Sequence, residues 1–366
     1  MQSVIKGRTK SGSSRLLFLV LALMLSAFPA TSAAPPQDAP VNYHIIKRVV
    51  LGGEGFWDYM GFDSLHRHLF VSHGTHVMVV NADTFKVVGD IPDTPGVHGI
   101  AVAPKLGRGF ISDGGADQVT VFDLQTLKTI GAVKVTGHNP DCIAYDPASR
   151  RVFTFNGRSG NSTAIDAKTL KVAGTIDLGG RPEFAVADGR GFIYNNLEDK
   201  STELKINTRT LKIEARWPMA PCESPSGLAI DAKHQILFAG CHNQMMAVIN
   251  ADTGKVIATP AIGPGVDANR FAPGTDLAFS SNGGGEGTLT VVKESSPTDF
   301  NVVQNVTTER GARTMEIDPK THNVFLITAK FGPMPPEPPA SAQGQRPRFR
   351  RPPMVPDSFT LIVLAP

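Results

Sequence analysis

The chain has 366 residues, of which 41% are hydrophobic and 19% charged, with 36 Gly, 28 Pro and three Cys. That apolar share excludes a disordered chain, the Gly and Pro exclude a bundle of long helices, and three cysteines exclude a disulfide-dense scaffold. The net charge of +3 owes four positive charges to residues 1–34 (Lys6, Arg8, Lys10, Arg15, no acid); the rest is slightly acidic, so no nucleic-acid partner is expected.

Those first residues read as an export signal. A basic stretch ends at Arg15, an apolar run of 13 residues follows (16–28), and Thr31, Ser32, Ala33 and Ala34 offer small residues for cleavage. The run is too short for a comfortable membrane span. Residues 1–34 are therefore expected to be a signal peptide and 35–42 a linker, with the mature protein periplasmic or secreted.

From residue 43 onward the chain repeats. The motif [Asp/Asn]-x-x-Thr-x-Lys starts at Asn81, Asp123, Asp166, Asn207 and Asn250, at spacings of 42, 43, 41 and 43. Each copy lies between two apolar or alternating runs, which reads as strand, turn, strand. The Asp or Asn is expected to cap the turn, so these most repeated polar residues are hairpin chemistry. A second motif runs in phase, an apolar strand ending near Asp or Pro, as at 100–104 (IAVAP), 143–147 (IAYDP), 228–231 (LAID) and 315–319 (MEIDP). Seven copies of about 42 residues, each of four short strands, predict an all-β, seven-bladed β-propeller over residues 43–366.

Residues 358–366 (SFTLIVLAP) match only the third strand of a blade. Residues 43–51 (YHIIKRVVL) can supply the fourth, so that an N-terminal strand completes the C-terminal blade and removes its open edge. Residues 331–357 interrupt that blade between its second and third strands. They hold nine prolines and Arg346, Arg348, Arg350 and Arg351, and are expected to be a disordered insert, either a tolerated loop or a mobile basic, partner-binding flap.

The phased repeat resembles the YVTN/YncE-like family of seven-bladed propellers, within the WD-repeat-like superfamily. Residues 95–104 (PGVHGIAVAP), 137–147 (GHNPDCIAYDP) and 178–183 (LGGRPE) carry the likeness. The family's own YVTN is absent; LFVS (69–72) and GFIS (109–112) stand in its place. The family includes members without known activity, so the resemblance implies a fold more than a function.

Alignment of the blades puts one residue each just before the innermost strand: Asp58, His98, Asp141, Glu183, Ser226, Asp267 and Arg313. Equivalent positions in a radial repeat face one way, so these side chains are expected to converge at the channel mouth. Arg313 is then expected to pair with Asp58 and Asp267, and the remaining acids form either solvated caps or a polar funnel for a small molecule, a peptide, calcium or another cation. The wider candidate surface adds Trp57, His73, Arg181, Glu198, His242 and Arg270. His73, His76 and His98 are a weaker candidate set of metal ligands, outweighed by structural roles. Cys222 and Cys241 fall on the same face, as a disulfide, two thiols or soft-metal ligands; Cys142 reads as buried.

No nucleophile elbow, zinc-protease, dinucleotide or P-loop motif is present, and no cofactor is expected. The sequence therefore points first to an exported, monomeric binding platform acting through its upper loops. The alternative is a lactonase- or hydrolase-like enzyme, in which His98 or Glu183 would be the acid/base group and Arg181, Arg270 or Arg313 would hold an anion.

Overall fold

The computed structural model describes residues 41–53, 55–334 and 352–366. The expected signal peptide and most of the linker lie outside the described residues, as does the centre of the Pro/Arg-rich insert. From Val41 to Pro366 the chain forms one compact unit.

Seven four-stranded antiparallel sheets make up the unit, taken in order around a channel. Blade one begins with Met60–Asp63, blade two with Val97–Ala103, blade three with Pro140–Asp146 and blade four with Pro182–Ala187. Blades five, six and seven begin with Pro225–Asp231, Val266–Ala272 and Thr314–Ile317. The burial pattern explains the sequence pattern. A middle strand such as Ile236–Cys241 is buried at every position, because neighbouring blades cover both its faces. The outermost strand of blade four, Lys212–Pro218, alternates between exposed and half-buried, because solvent meets it.

The turn chemistry is as the repeat predicts. Asn81 Oδ1 accepts from the backbone N–H of Asp83 (3.2 Å) and Thr84 (2.8 Å) and from the Thr84 hydroxyl (2.9 Å). Asp123, Asp166 and Asn250 do the same. At Asn207 only the two backbone donors engage.

Blade seven is composite. Its strands run Thr314–Ile317, Val324–Thr328, Thr360–Ala365 and then His44–Val50, with His44 opposite Ala365 and Val50 opposite Thr360. The ends of the insert are more ordered than the prolines imply. Gly332 N–H donates to Pro353 O and Val355 N–H to Lys330 O, both at 2.8 Å, and Phe331 pairs with Met354. These contacts form a closed neck that Phe331 packs against Trp57, ring centres 6.0 Å apart. Among the described residues no helix is long and apolar enough to cross a membrane.

Candidate functional site

The seven aligned residues stand at the entries of the innermost strands. In blades two to six that entry carries an irregularity in strand register, for example between Val97 and Ile100 and between Pro182 and Ala185. A bulge there re-aims the side chain it contains, out of the sheet and toward the channel. Five backbone carbonyls of this ring are held by side chains. Thr314 Oγ1 donates to Asp58 O (2.7 Å), Ser112 Oγ to Asp141 O (2.5 Å), Asn196 Nδ2 to Ser226 O (2.6 Å) and Ser226 Oγ to Asp267 O (3.4 Å). Ser281 Oγ donates to Arg313 O. Each donor belongs to the preceding blade, so the mouth is stitched around its rim. The sequence reading missed these donors, although Ser72, Ser112 and Ser281 recur at one phase of the second strand.

Charge pairing at the mouth is uneven. His98 Nδ1 lies 2.6 Å from Asp58 Oδ2 and 3.5 Å from Asp141 Oδ1. Arg313 meets Asp267 at 2.5 Å and Asp58 at 3.6 Å, as the repeat predicts. Glu183 has no ion-pair partner among the described residues, and it is half-buried rather than enclosed. Burial would lower the His98 pKa, but its hydrogen bond to Asp58 and the charges of Asp141 and Asp58 outweigh that and lift it to about 9. Burial and then the charge of Asp58 raise Asp141 to about 7. Glu183 is raised well above the usual carboxylate range by burial, then by Asp141 and Asp267. Asp267 is raised by burial against the pull of Arg313.

Beneath the mouth the channel is plugged. Tyr59 and Phe184 pack at 5.1 Å, and the Arg270 guanidinium lies 5.1 Å from the Phe184 ring. Arg270 also grips Glu316 with two hydrogen bonds, at 2.9 and 3.1 Å. Above this layer is a small enclosure with room for about one water, about 10 Å³, bordered by Asp58, Asp267 and Thr314. Below it is a cavity of about 330 Å³ whose lining mixes apolar side chains such as Ile143 and Leu228 with Arg270 and Glu316. A ligand entering from above therefore meets carboxylates and stops at an aromatic floor. Arg270 belongs to that floor and not to the open surface.

The other candidates divide. Arg181 pairs with Glu198 at the rim. His242 is near enough to Asp267 to favour its charge. Trp57 is not on the surface: it is buried, with Phe359 5.4 Å away, because the neck of the insert and blade seven cover it. His73 is buried too, stacked 4.2 Å over Phe359, with Nδ1 3.3 Å from His76 Nε2. Burial takes its pKa down to about 4. His73 and His76 thus pair with each other, while Asp58 and Asp141 hold His98, and the three imidazoles do not form one set. Asp58, His98 and Asp141 are close enough together to share an ion. Cys222 and Cys241 form a disulfide with Cα atoms 5.5 Å apart. Cys142 is buried and free, and its sulfur accepts from Ala185 N–H at 3.2 Å.

Comparison with known proteins gives the fold. No family model matches the chain, and no curated protein matches it either. Among solved structures it is similar to a chain in the crystal structure of the mitotic checkpoint complex, at 13% identity and TM-score 0.70 over 96% of this chain and 99% of that one. It is similar to the Neurospora crassa Pan2 WD40 domain, at 10% identity and TM-score 0.65 over 88% and 95%. It is also similar to the structure of U3-55K, at 8% identity and TM-score 0.69 over 87% and 98%. The likeness is one of fold, and that fold is a seven-bladed β-propeller.

Proposed function

We propose that this protein is an exported binding platform whose upper mouth receives a cationic group, such as the ammonium or guanidinium of a peptide or small amine. The observation that carries this reading is Glu183, a half-buried carboxylate at the mouth with no ion-pair partner among the described residues, beside Asp141, whose nearest base is shared with Asp58. Asp58, Asp141 and Asp267 each lie within ion-pair reach of His98 or Arg313, and a ligand cation would supply the partner that Glu183 lacks among the described residues. The WD-repeat-like fold supports a platform role, and the YVTN/YncE-like repeats support the finer family. Residues 1–34 and the Cys222–Cys241 disulfide support export into an oxidising compartment.

The hydrolase reading asks His98 or Glu183 to act as a base. Asp58 holds a proton on His98, whose pKa is lifted to about 9, and this makes the imidazole a poor general base near neutral pH.

The test is calorimetric titration with a hexalysine peptide, and separately with calcium, of the mature chain and its Glu183→Gln variant. Binding of the peptide that weakens at least about tenfold in the variant supports the reading. A calcium heat without a peptide heat would replace the peptide by a hard cation. No peptide heat, or an equal heat in both proteins, would overturn it.

A further inference from the structure

Asp231 closes the innermost strand of blade five, at the end opposite the mouth, five residues beyond Ser226 and so roughly 17 Å from it. His234 follows in the turn, and Glu294 comes from the third strand, Thr288–Ser296, of blade six. Single ligand atoms of the three lie within 4.8 Å of one another. Asp231 and Glu294 are buried, each 4% exposed, while His234 keeps a path to solvent with 30% of its side chain exposed.

The geometry inside this cluster is unusual. His234 Nδ1 lies 2.5 Å from Asp231 Oδ2 and 3.1 Å from Glu294 Oε1. Yet none of these three atoms makes a hydrogen bond of acceptable direction, and Glu294 Oε2 has none either. The three atoms converge at ion-pair distances but without the alignment of an ordinary hydrogen bond. Asp231 Oδ1 is used elsewhere, accepting from Lys233 N–H at 2.8 Å, and this turns Oδ2 into the cluster.

The repeat provides its own control. Blade one has the same Asp and His three apart in the same turn, Asp63 and His66. There Nδ1 and Oδ2 form an ordinary hydrogen bond at 2.6 Å. The position of Glu294 is fixed by a backbone bond, its N–H donating to Asp276 O. The equivalent bond in blades one to five is made by Ala82, Leu124, Ala167, Thr208 and Ala251, all buried and none ionisable. Beside Asp63 and His66 the third position is thus Leu124. Blade six alone of these puts a carboxylate there, and where it does, the Asp–His hydrogen bond loses its direction.

We infer that Asp231, His234 and Glu294 form a divalent transition-metal site that pins blade five to blade six on the face opposite the mouth. Two carboxylates and one imidazole suit zinc, which accepts three protein ligands and a water. The imidazole counts against calcium, which takes six to eight oxygens. Two buried carboxylates share one imidazole, and a metal ion supplies the positive charge that this single His234 cannot give to both.

The test uses the whole mature chain, stripped with chelator and titrated with zinc alone, with bound metal counted by elemental analysis and melting followed in parallel. One zinc per chain and a higher melting temperature are expected. Glu294→Leu installs the residue that blade two already tolerates, and it should bind zinc at least about tenfold more weakly. Asp141→Asn, at the mouth, should keep the zinc. If Glu294→Leu fails to fold, His234→Gln makes the same comparison. No zinc on the wild-type chain, equal zinc on either cluster variant, or zinc lost only in Asp141→Asn would each overturn the site.

Discussion

Thr314 and Asp58 are 256 residues apart in sequence, and the Thr314 hydroxyl donates to the Asp58 carbonyl at 2.7 Å. The bond joins the last blade to the first at the rim of the channel. It also fixes the backbone of the residue whose carboxylate holds both His98 and Arg313. Ring closure and site geometry therefore share one hydrogen bond.

Thr314→Val keeps the shape and removes the donor. The half-buried Asp58 carbonyl loses its side-chain partner, at a cost of about 1–2 kcal/mol. Chemical denaturation should show that loss, and binding at the mouth should weaken with it. A variant as stable as the wild type would mean that water replaces the hydroxyl without cost.

Removal of residues 43–51 should do far more. It takes away His44–Val50, exposes the edge of Thr360–Ala365 and deletes Tyr43, which is buried and hydrogen-bonded to His322 O at 3.1 Å. A fall in melting temperature of more than about 10 °C, or aggregation, is expected. An unchanged melting curve would refute closure by this strand.

Arg67 of blade one clamps Asp318 of blade seven, with Nη1 2.7 Å from Oδ1, and also holds Asp83 at 2.8 Å. Burial would raise Asp318, but Arg67 and Thr321 overcome it and bring the pKa down to about 2. Arg67→Ala should cost about 3 kcal/mol near neutral pH. A lowered carboxylate contributes stability above its unfolded pKa and loses it as pH falls through the folded value. The gap between wild type and variant should accordingly shrink between about pH 4 and pH 2, read by denaturant titration across that range. A gap independent of pH would show that packing, and not the ion pair, is lost.

The mouth should respond in the opposite direction. His98 is raised to about 9, so its contribution is complete below about pH 6.5 and fades as pH rises through 9. Asp141 is raised to about 7, so its ionisation also penalises the fold as pH climbs from about 4 to 7. Both signs predict falling stability from mildly acidic to alkaline conditions. His98→Gln should flatten the upper part of that decline, and a wild-type curve already flat between pH 6.5 and 9 would contradict the pairing with Asp58.

Reduction should matter as well. The Cys222–Cys241 bridge closes a loop with a sequence separation of 19, and replacing both cysteines by Ala should cost about 2–4 kcal/mol. Wild type treated with reductant should coincide with that double variant in an unfolding titration. Separate curves would show that the substitutions perturb packing by themselves.

Much of this was legible in the sequence because a radial repeat converts spacing into direction. The Asn81 and Asp123 turns, the strand at 43–51 and the convergence of His98, Asp141 and Arg313 follow from phase alone. What phase does not report is depth. Trp57 and His73 have the right register for the upper face, yet the neck of the insert and Phe359 bury them. Nor does phase report which of several acids finds a base: it placed Glu183 in the ring, but only distances show that Glu183 lacks an ion-pair partner among the described residues. Glu294 escaped notice for another reason: it departs from the repeat, and a search for recurrence passes over the one blade that differs.

The pairing of His44 with Ala365 has a mechanical consequence. The two points where the chain enters and leaves the ring are adjacent and antiparallel. A tension applied between them would not shear the strand pair but open it like a zipper, one rung at a time, starting at the outermost pair. A ring closed by this one strand pair would thus open first at its own seam.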